Sequence, residues 1–205
     1  ARRYLIGDRA FYREMIMIVV PIIIQNTVSN VVSLLDNVMV GQIGQVEMTG
    51  VAVANQLIFV FNLAIFGAIS GAGIFTAQFY GKKDEEGLRY VFRYKIIVAA
   101  IISILAIVLM FLGSTELIQM FLTDNGEGDV IATLGFGKQY LSIMIMTLIP
   151  FALKECYSTS LKETEQTVLP MIASAVAVIL NCALNAILIF GLLGVTAMGV
   201  KGAAI

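Results

Sequence analysis

The sequence predicts an all-α membrane protein, a polytopic bundle of transmembrane helices. Three observations carry this: the apolar share of the chain, the length of its apolar runs, and the uneven placement of its cations. Hydrophobic residues make up 59% of the chain and charged residues 13%. With a mean hydropathy of +0.92, the composition falls outside the range of water-soluble domains, whose packing cannot hide that much apolar surface. A hydrocarbon core of about 30 Å needs roughly 20 helical residues to cross it. Five stretches qualify: Met15–Val40, Val51–Phe75, Ile96–Gly113, Gly135–Leu153 and Val168–Leu193. A sixth begins after Lys201 and is cut off at the end of the chain.

The first stretch carries the strongest polar pattern. On a helical wheel Gln25, Asn26, Ser29, Asn30, Ser33, Asp36 and Asn37 fall within an arc of roughly 140°. Polar groups in lipid need partners, so such a stripe implies facing helices that bond to it or a water-filled cavity. Asp36 is the one acidic side chain deep within a long apolar stretch. A carboxylate at that depth marks an ion or proton site facing the protein interior. Pro21, fifteen residues earlier, removes a backbone donor and predicts a kink or hinge.

In the second stretch Asn55, Gln56 and Asn62 sit near its start, and Gly67, Gly71 and Gly73 predict close approach of another helix through small-residue packing. The connector Gly81–Arg93 spaces its charges as a short interfacial helix with i,i+4 pairs would. The third stretch holds only Ser103 as a polar side chain and predicts a helix that faces lipid on most sides. The connector after it is acidic, with a turn at Asn125–Gly128. Pro150 predicts a bend in the fourth stretch, and on the fifth Ser174, Asn181 and Asn185 share a face within roughly 40°. By helix rise, Asp36 lies about 30 Å from the inner end of its span and the Asn181/Asn185 pair about 16–22 Å past Pro170, so all are expected towards the outer leaflet. They are expected to line one cavity.

Orientation follows from the cations. Eleven of the thirteen Lys and Arg fall before the first stretch, between the second and third, or between the fourth and fifth. Those three regions share one side if the spans alternate, so the amino terminus is expected to be cytoplasmic. The chain has a formal net charge of -1 and no basic patch away from the membrane flanks, which sets nucleic acid aside. It has no histidine, and Cys156 and Cys182 read as small core residues rather than a disulfide or zinc framework. With no intramembrane pair of carboxylates either, a hydrolytic or metal-dependent enzyme lacks its parts.

Several segments resemble one family. Pro21 with Gln25, then Asp36-Asn37-Val38-Met39-Val40-Gly41-Gln42, Val51-Ala52-Val53-Ala54-Asn55-Gln56, Ala77-Gln78-Phe79-Tyr80-Gly81-Lys82-Lys83-Asp84, and the late series Asn181, Asn185, Ile189-Phe190-Gly191 and Gly199-Val200-Lys201-Gly202-Ala203-Ala204 resemble multidrug and toxic compound extrusion (MATE) transporters. The resemblance implies one lobe of a two-lobe, pseudo-symmetric, twelve-helix transporter. Residues 1–205 would form the amino-terminal lobe, with five spans and the start of a sixth, and the carboxyl-terminal lobe absent from this sequence. It further implies multidrug efflux from the cell across the plasma membrane. Small cationic or amphipathic compounds would leave by antiport against H+ or Na+, with no cofactor.

Carried over by residue, Asp36 matches the first-helix acid implicated in cation coupling and would be the place for a sodium ion if one binds. Pro21 matches a bending proline, and Asn181 a fifth-helix asparagine near the acid. Asn185 stands where some members carry a second acid, which departs from a two-carboxylate sodium site. Gln25, Ser29, Ser33, Asn55 and Gln56 are the expected cavity residues. A lipid-linked oligosaccharide flippase of related fold and a passive channel are the rival readings. The flippase would need basic residues at membrane depth, and none lies in the first or fifth stretch.

Overall fold

The computed structural model describes residues 7–41, 44–121 and 130–190; the side chains of residues 32, 33, 35–37, 40, 130 and 190 lie outside that description. Every regular element among the described residues is a helix: α1 Arg9–Gly41, α2 Gln45–Gly81, α3 Glu85–Leu112, the short α4 Ser114–Gln119, α5 Val130–Glu163 and α6 Val168–Phe190. Five of them, all but α4, are long and apolar enough to cross a membrane. The turn expected at Asn125–Gly128 and the start of a sixth span lie outside the described residues.

Helices α2, α3 and α5 form one closely packed group. On α2 the buried stripe runs through Val51, Ala54, Leu57, Phe61, Ile65, Ile69 and Ala72, spaced by three or four residues as a helix face requires. It meets Leu141, Leu148, Ala152 and Cys156 of α5 in a single apolar core. Both helices run in the same direction, because they touch near both ends. Near their starts, a Cβ on Gly50 would lie 2.7 Å from the Thr133 carbonyl oxygen and 2.9 Å from the Gly137 nitrogen. Only glycine admits that crossing. Near their ends, a Cβ on Gly73 would run into the Glu163 carboxylate.

The small-residue pattern is therefore corrected: Gly73 packs, but Gly67 and Gly71 have nothing within 4 Å of a built Cβ and face outward. Close approach of helices uses Gly50 and Gly137 instead, at the opposite end.

The connector between α2 and α3 also differs from expectation. No separate interfacial helix forms. The chain turns over Lys82 and Lys83, and Asp84 caps a helix that continues unbroken from Glu85 into the apolar stretch, its carboxylate accepting from the Gly87 amide at 2.9 Å. Lys83 (φ 57°) ends α2 in the left-handed region, with Asp84 N–H bonded to the Phe79 carbonyl and Lys83 N–H to that of Tyr80. The α5–α6 connection repeats the device at Glu165 (φ 64°), where Gln166 N–H bonds to the Leu161 carbonyl. One expected ion pair is present there: Arg89 and Glu85 lie 3.9 Å apart on the exposed first turns of α3.

Helix α3 presents a narrow covered stripe, Lys95, Ala99, Ser103 and Met110. Its other faces expose isoleucine, leucine and phenylalanine side chains. Ser103 satisfies its hydroxyl on its own backbone, donating to the Ala99 carbonyl at 2.7 Å. Pro21 and Pro150 both lie inside continuous helices.

Helix α1 lies mainly against α6 and only lightly against α2, while α6 touches α5 lightly. The bundle is thus a dense group of three helices with a looser pair beside it.

Candidate functional site

The pair is joined by a polar contact. Gln25 of α1, buried to 6% exposure, donates through Nε2 to the Ser174 hydroxyl of α6 at 2.7 Å. Its Oε1 is buried without a hydrogen-bond partner among the described residues. An unsatisfied amide oxygen in an apolar setting carries a desolvation penalty of about 1–3 kcal/mol. Gln25 and Ser174 border a cleft of about 310 Å³ between α1, α5 and α6, whose other walls include Tyr157, Ser158, Leu161 and Pro170. Lys154 stands at its edge, its ammonium 4.8 Å from the centre of the Phe151 ring.

This cleft opens where α5 ends and α6 begins, at the cation-rich end of the bundle. Farther along α6, Asn185 is buried (2% exposed) and donates to Oδ1 of Asn181 one turn earlier at 3.2 Å. Asn181 itself is exposed. Of the other expected cavity residues, Ser29 is exposed, Asn55 is half-buried and Gln56 is exposed, and neither Asn55 nor Gln56 borders the Gln25 cleft. The Oδ1 of Asn62 on α2 is buried with no hydrogen-bond partner among the described residues. Ser33 and Asp36 lie on α1, with their side chains outside the described residues. Among the described residues no cluster of three His, Cys, Asp or Glu could hold a metal ion.

Sequence reasoning missed a second polar site. Lys95 is buried to 1% and pairs with Glu163 of α5, while its ammonium also donates to the Ser160 hydroxyl at 3.2 Å. With Gly73 of α2 against the same carboxylate, the pair clamps three helices at one end of the dense group. Lys95, one of the cations expected between the second and third stretches, instead belongs to α3, which begins ten residues before it and carries it inside. Lys154 and Lys162 likewise belong to α5 rather than to a connector. The signal was available: Lys95, Ala99 and Ser103 continue one i,i+4 row.

A polytopic bundle of long apolar helices, with a polar face shared by its first and last members, defines an integral membrane protein of multi-span type. Residues 21–187 match the MatE family profile, and the chain belongs to that family. It is 26% identical over 193 residues to a probable multidrug resistance protein NorM of Thermotoga maritima, covering 94% of this chain and 40% of that protein. It is 27% identical over 194 residues to the multidrug export protein MepA of Staphylococcus saprophyticus, covering 92% and 41%. In fold it resembles a multidrug resistance MATE family transporter of the MOP superfamily in its outward-facing conformation, with TM-score 0.80, 19% identity and coverage of 93% of this chain and 40% of that one. A MOP superfamily transporter from Pyrococcus furiosus gives TM-score 0.79, also at 19% identity and with the same coverage. The chain spans about two fifths of the length of these relatives.

Proposed function

We propose that this chain is the amino-terminal lobe of a secondary active exporter that exchanges H+ or Na+ for cationic or amphipathic compounds, with Asp36 as the coupling carboxylate. The Gln25–Ser174 bond is the observation that supports this most directly. Four chain reversals separate α1 from α6, so the two run in the same direction, and that bond sets their register. Asp36 lies eleven residues beyond Gln25, and Asn185 eleven beyond Ser174. Eleven residues make three turns plus about 20°, so both steps return to nearly the same helix face about 16 Å farther on. On this register Asp36 would stand level with Asn185, facing α6.

At that level a carboxylate gains amide donors, which favour its charged, cation-binding form, while loss of water favours the protonated form. An ion arriving at Asp36 rearranges hydrogen bonds along the α1 stripe and shifts α1 against α6, and Pro21 is the hinge for that movement. The coupling needs Asp36 to prefer different occupants in different states of the protein. A carboxyl-terminal lobe supplies the other wall of the substrate path, and the amino terminus is cytoplasmic in a plasma membrane. A flippase for large anionic head groups is disfavoured, because the one fully buried cation among the described residues, Lys95, is already neutralised by Glu163.

The test is Asp36→Asn in the full-length protein reconstituted in proteoliposomes. Ion-driven efflux of a cationic dye should fall to the background rate while the melting temperature stays unchanged. Undiminished gradient-driven efflux would end the proposal, and conversion of the dye into a chemical product would point to an enzyme instead.

A further inference from the structure

We propose that the outer face of α2 and α3, at the cation-rich end, holds one phospholipid with a phosphoethanolamine-type headgroup. Two depressions meet there at Tyr90. One is a groove of about 400 Å³ with apolar walls, floored by Ala68 and Gly71 of α2 and flanked by Phe75, Tyr90 and Tyr94. The other, about 350 Å³, is polar and is formed by Glu85, Glu86, Arg89 and Arg93 around the same Tyr90. The polar mouth lies just before the apolar stretch of α3 begins at Ile96, which is headgroup depth, and tyrosines favour that level. The groove continues from it towards the hydrocarbon. A site with a polar head compartment joined to an apolar tail compartment fits a lipid.

The charges select the headgroup. Two guanidinium groups and two carboxylates make the mouth neutral as a whole, which suits a phosphate together with an ammonium rather than an anion alone. Arg93 is exposed and takes part in no ion pair among the described residues, so it is available to a phosphate. Glu86 accepts from the Tyr90 hydroxyl at 3.1 Å and has no cationic partner among the described residues, and Glu85 lies 3.9 Å from Arg89. These carboxylates can accept from a primary ammonium, which a quaternary choline cannot match with N–H donors. Gly71 leaves the groove floor open, with nothing within 4 Å of a built Cβ. An acyl chain lying there would cover α2 and α3 where none of the described helices does. The inference rests on the chain spanning a membrane and not on coupling at Asp36, so its readout is lipid retention rather than transport.

The experiment places the intact protein in nanodiscs with equal parts phosphatidylethanolamine, phosphatidylcholine and phosphatidylglycerol, then counts lipids that survive detergent extraction by native mass spectrometry. The site predicts several-fold enrichment of phosphatidylethanolamine. Arg93→Gln, an exposed substitution, should reduce that enrichment several-fold, and Gly71→Leu should remove it by filling the groove. Replacing Glu85 and Glu86 by Gln together should move the preference towards phosphatidylglycerol. Retention of the three lipids in proportion to supply would overturn the proposal, and so would enrichment unchanged by Arg93→Gln. That arm decides the matter alone if Gly71→Leu fails to fold.

Discussion

The α2–α3–α5 group and the α1–α6 pair are built from similarly apolar helices, yet they solve the problem of polar groups in a membrane in opposite ways. Within the apolar windows of the described residues, 39% of α2 is buried against 6% of α1 and 11% of α6. The dense group holds a complete ion pair, Lys95 with Glu163, reinforced by Ser160 and admitted by Gly73. The looser pair carries an incompletely satisfied amide at Gln25, and a series of further polar residues leads from it to Asp36. A closed network holds helices in place, whereas an open one has capacity left for a ligand or a moving partner. On the proposed function, the first region is scaffold and the second is where exchange takes place.

The largest effect should come from breaking the clamp. Lys95→Met leaves the Glu163 carboxylate without its partner, and removing one member of a buried pair costs about 3–5 kcal/mol. Replacing Glu163 by Leu in the same protein should recover much of that loss, since an apolar pair has no charge to strand. Thermal unfolding in detergent reads both. Equal stability of Lys95→Met and the parent would remove the clamp from the account.

Next is the glycine crossing at the other end of the group. Gly50→Ala sets a methyl against the backbone of α5, which cannot swing aside as a side chain can, and overpacking of this kind costs about 1–3 kcal/mol. Gly67→Ala, with open space around it, should be neutral or slightly stabilising by the same melting assay. A reversed order would mean the two helices do not meet at Gly50.

The smallest stability effect belongs to the pair. Ser174→Ala removes the hydrogen bond from Gln25 to α6 and should cost about 0.6 kcal/mol, the average for interhelical hydrogen bonds in a membrane. Its effect on exchange should be much larger than its effect on melting, because it frees the register of α1 against α6. Dye efflux and unfolding measured on the same preparation separate the two. A drop in both by the same proportion would make the pair scaffold as well.

Much of this was legible before the structure. The five spans follow from apolar length, and the polar faces of the first and fifth spans were visible as stripes that needed partners. What the sequence concealed lies at helix ends. Charges beside an apolar run look like a connector, yet Lys95 lies inside α3, with about 26 Å of helix beyond it and Ala99 and Ser103 on its face. The α5 helix similarly outlasts its apolar stretch, because Cys156, Tyr157 and Leu161 keep its period through Lys154 and Lys162. Gly67 and Gly71 misled for another reason: small residues permit close approach but do not say which side the neighbour takes. Register between α1 and α6 could not be read at all, since it depends on which polar residue of each stripe is chosen, and the Gln25–Ser174 bond makes that choice.

The most direct test of the exchange region is a cross-link between its two helices. With Cys156 and Cys182 replaced by serine, cysteines introduced at Asp36 and Asn185 should be joined by a short thiol-bridging reagent in native membranes, and the same reagent should not join position 36 to a cysteine at Asn62 on α2. Efficient bridging of 36 to 185 is the result the shared level predicts. Bridging of 36 to 62 in its place would put the acid of α1 against the dense group and contradict the account.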